Sequence, residues 1–392
     1  MAQTFTRNRV TWLAYTALAF YGYFINIFGP ITPFLKDELK LSYTVSSFHF
    51  SAFALGMIGA GMFGHLLVER AGRWTTLWIG VFGMSLSALL LSAGREPLLT
   101  IGVSFFMGLI GSVIIAVVSS TLSDQHREMR AVAISEANVV SSVISAMAPL
   151  LVGWFAPTGP GWRAALLVGA VASLVMRLAF RRVNIPPSAS PARQGQSRRP
   201  LRGLYWVYWT GIVLAVSIEF CMIYWSADYL EKSLGMPKAT AAQAVSLFLL
   251  GMIAGRFASS RLVQRFPSHL VVTGSLLIAA AGFLVYWTAS SPLLGAIGLL
   301  ICGLGVASLY PLLLSLAIGS AGEDTVQASA RSSLASGLAI FALPLVLGRL
   351  ADAVGIHQAY MIIIFLVLGV LVINLITARF VDSHKTVEVK SS

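Results

Sequence analysis

Long apolar runs separated by short polar connections make up almost the whole chain. Twelve such runs stand out, at 10–34, 44–68, 75–94, 98–121, 130–154, 162–181, 204–229, 240–264, 269–289, 293–318, 329–353 and 357–380. Each is close to the length of about 20 apolar residues that a membrane-crossing helix needs. The pattern predicts an all-α membrane protein of twelve transmembrane helices. The first run is too long for a cleaved signal peptide and is expected to stay as the first span. One connection differs from the rest. Arg181 to Arg202 is polar, contains Pro186, Pro187, Pro191 and Pro200, and reads as a flexible linker. The expected organisation is an N-terminal six-helix bundle at 1–180, a cytoplasmic linker at 181–203, and a C-terminal six-helix bundle with a short cytoplasmic tail at 204–392.

An internal repeat supports two halves. The segment Phe53-Ala-Leu-Gly-Met-Ile58 returns as Phe248-Leu-Leu-Gly-Met-Ile253, an offset of 195 residues. Nine of the 22 positions in 51–72 match 246–267. At the same offset Gly108-Leu109 meets Gly303-Leu304, Ser120 meets Ser315, Pro149-Leu150 meets Pro344-Leu345, and Gly153 meets Gly348. A constant offset over some hundred residues is hard to obtain by chance, even among apolar helices. It indicates a duplicated six-helix unit, with the halves related by an axis along the membrane normal.

With twelve spans, a basic central loop and a loop signature between the second and third spans, the chain resembles the major facilitator superfamily. The signature core here is Glu69-Arg70-Ala71-Gly72-Arg73-Trp74. It departs from the family pattern in carrying Glu for Asp at its start, Trp74 for the last basic residue, and His65 where a glycine belongs. Pro344, Gly348 and Leu350-Ala351-Asp352 are also similar to the family. Drug exporters of the family carry an Arg four residues before a Gly in the fourth helix. Here those positions are Ser104 and Gly108, which points away from typical drug efflux. The Gly-Pro pattern of antiporters in the fifth helix is represented only by Ala148-Pro149 and Gly153.

Composition agrees with a lipid environment: 57% of residues are hydrophobic and 11% charged. The net charge of +12 is concentrated in short loops, a topological pattern rather than a nucleic-acid surface. With both termini placed in the cytoplasm, 18 of the 27 basic residues fall at cytoplasmic ends and 7 at outer ends, leaving Arg256 and Arg331 inside spans. That bias predicts a multi-pass cell-membrane protein with both termini cytoplasmic. Cys221 and Cys302 lie in apolar runs and read as small buried hydrophobes. No metal-ligand spacing, nucleotide-binding loop or serine-nucleophile context is present, so no cofactor, metal or enzymatic activity is expected. Gly59-Ala60-Gly61-Met62-Phe63-Gly64 matches a dinucleotide fingerprint. Inside a span it reads as close helix packing.

Ionisable residues inside spans cost about 2.5–3.5 kcal/mol each at a helix centre, which makes them functional candidates. Glu219 lies about 15 residues into the seventh span, roughly 22 Å along it at 1.5 Å per residue. It is followed by Tyr224, Trp225 and Tyr229. It is the leading candidate for proton coupling or substrate recognition. Glu136 in the fifth span and its repeat counterpart Arg331 in the eleventh are further candidates. In the family the fifth and eighth helices meet, so the resemblance implies a Glu136–Arg256 contact at an inner gate. It also implies that Glu69, Arg70, Gly72 and Arg73 lock the second helix against the eleventh. Tyr21, Tyr23 and Asn26 in the first span and Tyr310-Pro311 in the tenth are candidates for a central cavity. Asp352 is a gate candidate and is also placed to pair with Arg349 three residues away. His49 and His65 read as packing or interface residues.

These features lead to a secondary transporter of a small organic solute, working by alternating access and driven by protons. The expected partners are a small-molecule substrate, the proton and the lipid bilayer, with no nucleic acid and a monomeric chain. Efflux of hydrophobic or cationic compounds is one alternative. A non-transporting membrane receptor or assembly protein on the same fold is another.

Overall fold

The computed structural model describes residues 5–185, 201, 203–321 and 325–391, and every regular element among them is helical. In chain order these are α1 (Arg9–Glu38), α2 (Tyr43–Ala93), α3 (Pro97–Gly111), α4 (Val113–His126), α5 (Arg130–Phe155), α6 (Arg163–Ala179), α7 (Gly203–Leu234), α8 (Lys238–Leu262), α9 (Ser268–Trp287), α10 (Pro292–Val306), α11 (Leu309–Ser320), α12 (Thr325–Val354), α13 (Ile356–Ala359) and α14 (Ile362–Ser391). Nine helical stretches among the described residues are long and apolar enough to cross a membrane. Two of them, Tyr43–Ala93 and Pro97–Phe155, each contain two of the expected spans. The 17-residue α6 covers the sixth. All twelve expected spans are therefore helical. The predicted linker at 181–203 lies mostly outside the described residues, which omit 186–200 and 202.

Local chemistry explains the helix starts. The side chains of Asn8, Ser42 and Ser291 accept the backbone N–H of Thr11, Val45 and Leu294, capping α1, α2 and α10. Pro97 and Pro292 occupy the first helical position of α3 and α10, where a missing N–H costs no hydrogen bond. Within α2 the chain turns at Gly72, with φ 76° and ψ 162°. That backbone region is essentially confined to glycine.

The 195-residue offset is written into the element boundaries. Adding it to the starts of α2, α3 and α5 gives the starts of α8, α10 and α12. The break between α3 and α4 at Ser112 becomes the break between α10 and α11 at Ala307 and Ser308. Pro311 lies in the first turn of the new helix α11. Proline is tolerated there because that turn lacks intrahelical partners for its N–H groups. The crossings repeat as well. A Cβ on Gly56 would strike the carbonyl oxygen of Phe105, and one on Gly251 would strike that of Leu300. Small residues let helix backbones approach this closely in lipid, where packing rather than water exclusion joins helices.

The chain forms two compact units. The first holds α1–α6 together with Pro237–Ser246, the opening turns of α8; the second holds α7 and the chain from Leu247 onward. In the first unit α1 is buried on nearly every face, with Tyr15, Phe24, Ile27 and Phe28 at 1% exposure or less. In the second, α7 is similarly enclosed around Tyr205, Ile218, Trp225 and Tyr229. Outer helices carry apolar side chains into the surroundings, among them the repeat-related pair Leu98 and Leu293 at 85% and 71% exposure. Such surfaces suit lipid rather than water.

Candidate functional site

In the second unit, Glu219 lies at the middle of the 32-residue α7. Its Oε1 is 3.8 Å from Nη2 of Arg256 on α8. The carboxylate is recessed, with 14% of its side chain exposed, whereas Arg256 is 44% exposed. The separation exceeds the usual hydrogen-bond range, so attraction between charges holds this pair rather than a donated proton. Their contact places the two head groups at one level.

Glu136 and Arg256, expected to meet at an inner gate, each have an ionic partner within their own unit. Glu136 on α5 accepts two bonds from Arg7, Nε at 2.8 Å and Nη2 at 2.6 Å, and a third from the Tyr15 hydroxyl at 3.0 Å. The bond and charge of Glu136 raise the pKa of Arg7 above its ordinary value. Beside this fork, Thr11 Oγ1 lies 2.9 Å from His126 Nε2. In the sequence pattern Arg7 is only one of the basic residues at a cytoplasmic end. It lies ahead of the first span, and nothing in the local pattern links it to a residue 129 positions later.

Arg331 occupies the matching repeat position on α12. Its guanidinium lies over the Trp206 ring at 5.2 Å, and its carbonyl accepts the Trp209 indole N–H at 2.9 Å. Close by, the Tyr205 hydroxyl donates to the Ala328 carbonyl at 2.8 Å. Each contacts the chain at the start of the first spanning helix of its unit, Glu136 through Arg7 and Tyr15, Arg331 through Trp206 and Trp209.

Several cavity candidates are engaged in packing. Trp225 is wholly buried and donates its indole N–H to the Pro344 carbonyl at 2.9 Å. Tyr224 is also buried, edge-on to Trp225 at 4.8 Å. The Asn26 amide donates to the Gly22 carbonyl of its own helix at 2.9 Å. The Tyr23 hydroxyl donates to Ala165 on α6 at 2.7 Å, and Tyr21 lies 3.4 Å from Ser112 Oγ. Tyr310 is partly exposed and within electrostatic reach of Glu219. His49 is buried, its ring nitrogens at 3.1 Å from the Ser46 carbonyl and 2.8 Å from Thr100 Oγ1.

In the signature loop Arg73 is 7% exposed and donates to Asp124 on α4 at 2.7 Å. Glu69 and Arg70 are exposed, as are Asp352, Arg349 and His65. Trp74, which replaces the family's basic residue, donates its indole N–H to Val183 at 2.9 Å. Arg177 lies 5.2 Å from both the Trp74 and Trp78 rings. Arg177 of α6 thus places a positive charge beside Trp74. Two further groupings emerge from the tertiary structure. Glu38 at the end of α1 pairs with Arg95 at 2.5 Å and Arg163 at 2.7 Å, and its neighbour Asp37 pairs with Lys238. Asp228, nine residues beyond Glu219, is fully buried. Its place inside the seventh apolar run was the signal available for finding it.

Comparison with known proteins gives one family. The family model described as Major Facilitator Superfamily matches residues 14–341 and 207–391. The uncharacterized transporter YycB of Bacillus subtilis (strain 168) is 25% identical over 358 residues, 88% of this chain and 87% of that protein. An uncharacterized MFS-type transporter of Yersinia pestis is 27% identical over 171 residues, 42% of this chain and 44% of its own length. The L-fucose-proton symporter of Escherichia coli (strain K12) is 30% identical over 168 residues, 41% of this chain and 37% of the symporter. These last two similarities therefore span less than half of the relatives concerned. Among solved structures, a bacterial homolog of the human lysosomal transporter Spinster, inward-facing and unoccupied, superposes with a TM-score of 0.76 at 15% identity, covering 95% of this chain and 97% of that one. A D-xylose-proton symporter gives 0.76 at 15% identity, covering 94% and 96%. At these identities the structural likeness concerns the fold.

Proposed function

Because this chain belongs to the Major Facilitator Superfamily, we propose that it is a secondary active transporter of a small organic solute, coupled to protons through Glu219. The observation that carries this reading is the Glu219–Arg256 pair, set in helices that cross the membrane. Charges in lipid are retained where they work. A buried ion pair gains little net stability, since desolvation offsets attraction. Such a pair can separate and re-form at low cost. A proton arriving on Glu219 removes its charge and with it the attraction to Arg256, which gives the conformational cycle a step that depends on protonation. The proton symporters named among the similar proteins support coupling of this kind.

The cycle is alternating access: two six-helix halves, 1–180 and 204–392, rock about the solute, joined by the 181–203 linker, with both termini in the cytoplasm and one chain sufficing. The signature-loop residues Glu69, Arg70, Gly72 and Arg73, together with Asp352, act as gate residues, and Tyr310 faces the solute.

The test is uptake into proteoliposomes driven by a pH gradient, over a panel of labelled sugars, organic acids and organic cations. Glu219→Gln is expected to abolish gradient-driven uptake while leaving downhill equilibration. Unchanged gradient-driven uptake in E219Q sinks the coupling assignment. Solute binding without any flux marks the chain as a receptor.

A further inference from the structure

We infer that the end of α6 holds an anionic phospholipid, its phosphate against Arg177 and its acyl chains along an aromatic stripe of α2. The site lies wholly within the first unit. It is independent of the transported solute and of the coupling role given to Glu219.

Trp74, Trp78 and Phe82 follow one another at intervals of four residues on α2, so they share one face of that helix. Their rings meet in sequence, with 6.4 Å between the first two centroids and 5.6 Å between the second and third. Arg177, in the last turn of α6, lies 5.2 Å from the centroids of both Trp74 and Trp78. The ring quadrupole attracts a cation placed over its face. A guanidinium held in that way keeps its in-plane N–H donors for an anion. Among the described residues no carboxylate pairs with Arg177, and Asp124, which approaches this part of α2, is held by Arg73 at 2.7 Å. The Trp74 indole N–H donates to the Val183 carbonyl at 2.9 Å. That bond fixes the ring and holds the chain just after the exposed Arg181 and Arg182 against the stripe.

The apolar part of the site faces outward. Leu174 and Leu178 flank Arg177 on α6 at 56% and 69% exposure, and Phe82 ends the stripe at 36%. From Trp74 to Phe82 the stripe runs about 12 Å along α2 at 1.5 Å per residue. Arginine at headgroup level, tryptophans beside it and bare hydrocarbon beyond are the order expected across a membrane interface. A ligand that satisfies the whole surface has negative charge at one end and alkyl chains at the other. A dissolved anion would gain the first part alone.

The following chain strengthens the positive field, since residues 181–203 include six arginines and no aspartate or glutamate. Basic residues beside a membrane-crossing helix attract anionic lipids. The internal duplication supplies a comparison. At the 195-residue offset, Trp74, Trp78 and Arg177 correspond to His269, Thr273 and Val372. There Asn374 on α14 donates to the His269 carbonyl at 3.0 Å and to Thr273 Oγ1 at 2.9 Å. The second unit joins the matching helices with neutral hydrogen bonds. The architecture therefore does not itself require an arginine among tryptophans at this junction.

The experiment is thermal unfolding of the purified full-length protein in neutral detergent with added dioleoylphosphatidylglycerol or dioleoylphosphatidylcholine. Separate arms contain glycerol 3-phosphate and inorganic phosphate at matched ionic strength. Phosphatidylglycerol is expected to raise the wild-type midpoint by several degrees more than phosphatidylcholine, and the soluble phosphates to leave it unchanged. Arg177→Gln should erase the difference between the lipids, weakening apparent affinity for phosphatidylglycerol by about tenfold or more. Arg177→Lys keeps the charge without the planar fork, serves if R177Q does not fold, and should lose most of the preference. Arg261→Gln, at an exposed arginine 4.2 Å from the Phe257 ring on α8, should retain it. An equal response of the wild type to both lipids overturns the inference, as does a soluble phosphate that reproduces the effect. So does a preference that persists in R177Q, or in R177K where R177Q does not fold, or one that R261Q removes as well. A lower midpoint of R177Q without lipid, with the preference intact, would make Arg177 a packing residue only.

Discussion

Gly108 on α3 lies so close to Phe53 on α2 that a Cβ there would collide with the Phe53 carbonyl oxygen. One repeat later, Gly303 on α10 stands in the same relation to Phe248 on α8. The shared run around Phe53 and Phe248 is thus the crossing point of two helices in each half, and the repeated glycines are its mates. Gly108→Ala and Gly303→Ala are each expected to destabilise by about 1–3 kcal/mol, the usual cost of overpacking. Thermal unfolding in detergent measures it. Gly102→Ala, at a helical glycine with open space around it, is the control and should leave the midpoint unchanged or slightly raised.

Gly72 holds a conformation that other residues reach only with strain. Gly72→Ala should cost about 1–3 kcal/mol even though no atom lies within 4 Å of the added carbon. Comparing G72A with G102A in the same unfolding assay separates backbone strain from crowding. Equal midpoints for the two would contradict the assignment.

The Arg73–Asp124 pair joins a 7% exposed guanidinium to a 34% exposed carboxylate. Removing the carboxylate leaves a buried charge without this partner, and water reaches the site from the Asp124 side. Asp124→Asn is expected to lose about 1–3 kcal/mol, below the 3–5 kcal/mol of a fully enclosed pair. A double-mutant cycle with Arg73→Met measures the coupling, which should be clearly non-zero.

Arg7 and Glu136 meet at a more open place, with 46% and 30% of their side chains exposed. Arg7→Ala should leave the unfolding midpoint almost unchanged at high salt, since solvent and ions screen such pairs. Tyr15→Phe, which removes a buried donor to the same carboxylate, should have the larger effect. The reverse order would mean that the fork rather than the phenol organises Glu136.

Trp225→Phe removes the indole bond to the Pro344 carbonyl and leaves that acceptor without it inside the protein. A loss of about 1–3 kcal/mol is expected, read by unfolding. A variant as stable as the wild type would show that the carbonyl is satisfied otherwise.

The apolar runs and the 195-residue offset were enough to predict the twelve helices and the duplicated architecture, because lipid demands long uninterrupted helices and duplication preserves spacing, while the signature loop around Arg70–Trp74 carried the family resemblance. They also marked Glu219, Glu136, Arg256 and Arg331 as unusual, since ionisable groups are rare in spans. Which of these charges meet was settled by tertiary structure alone. Arg7 reaches Glu136, Arg256 reaches Glu219, and Arg177 lies against the Trp74 ring. Long side chains on separate helices choose partners by helix rotation and tilt. Those follow from packing around residues such as Gly108 and Trp225, and no local spacing encodes them.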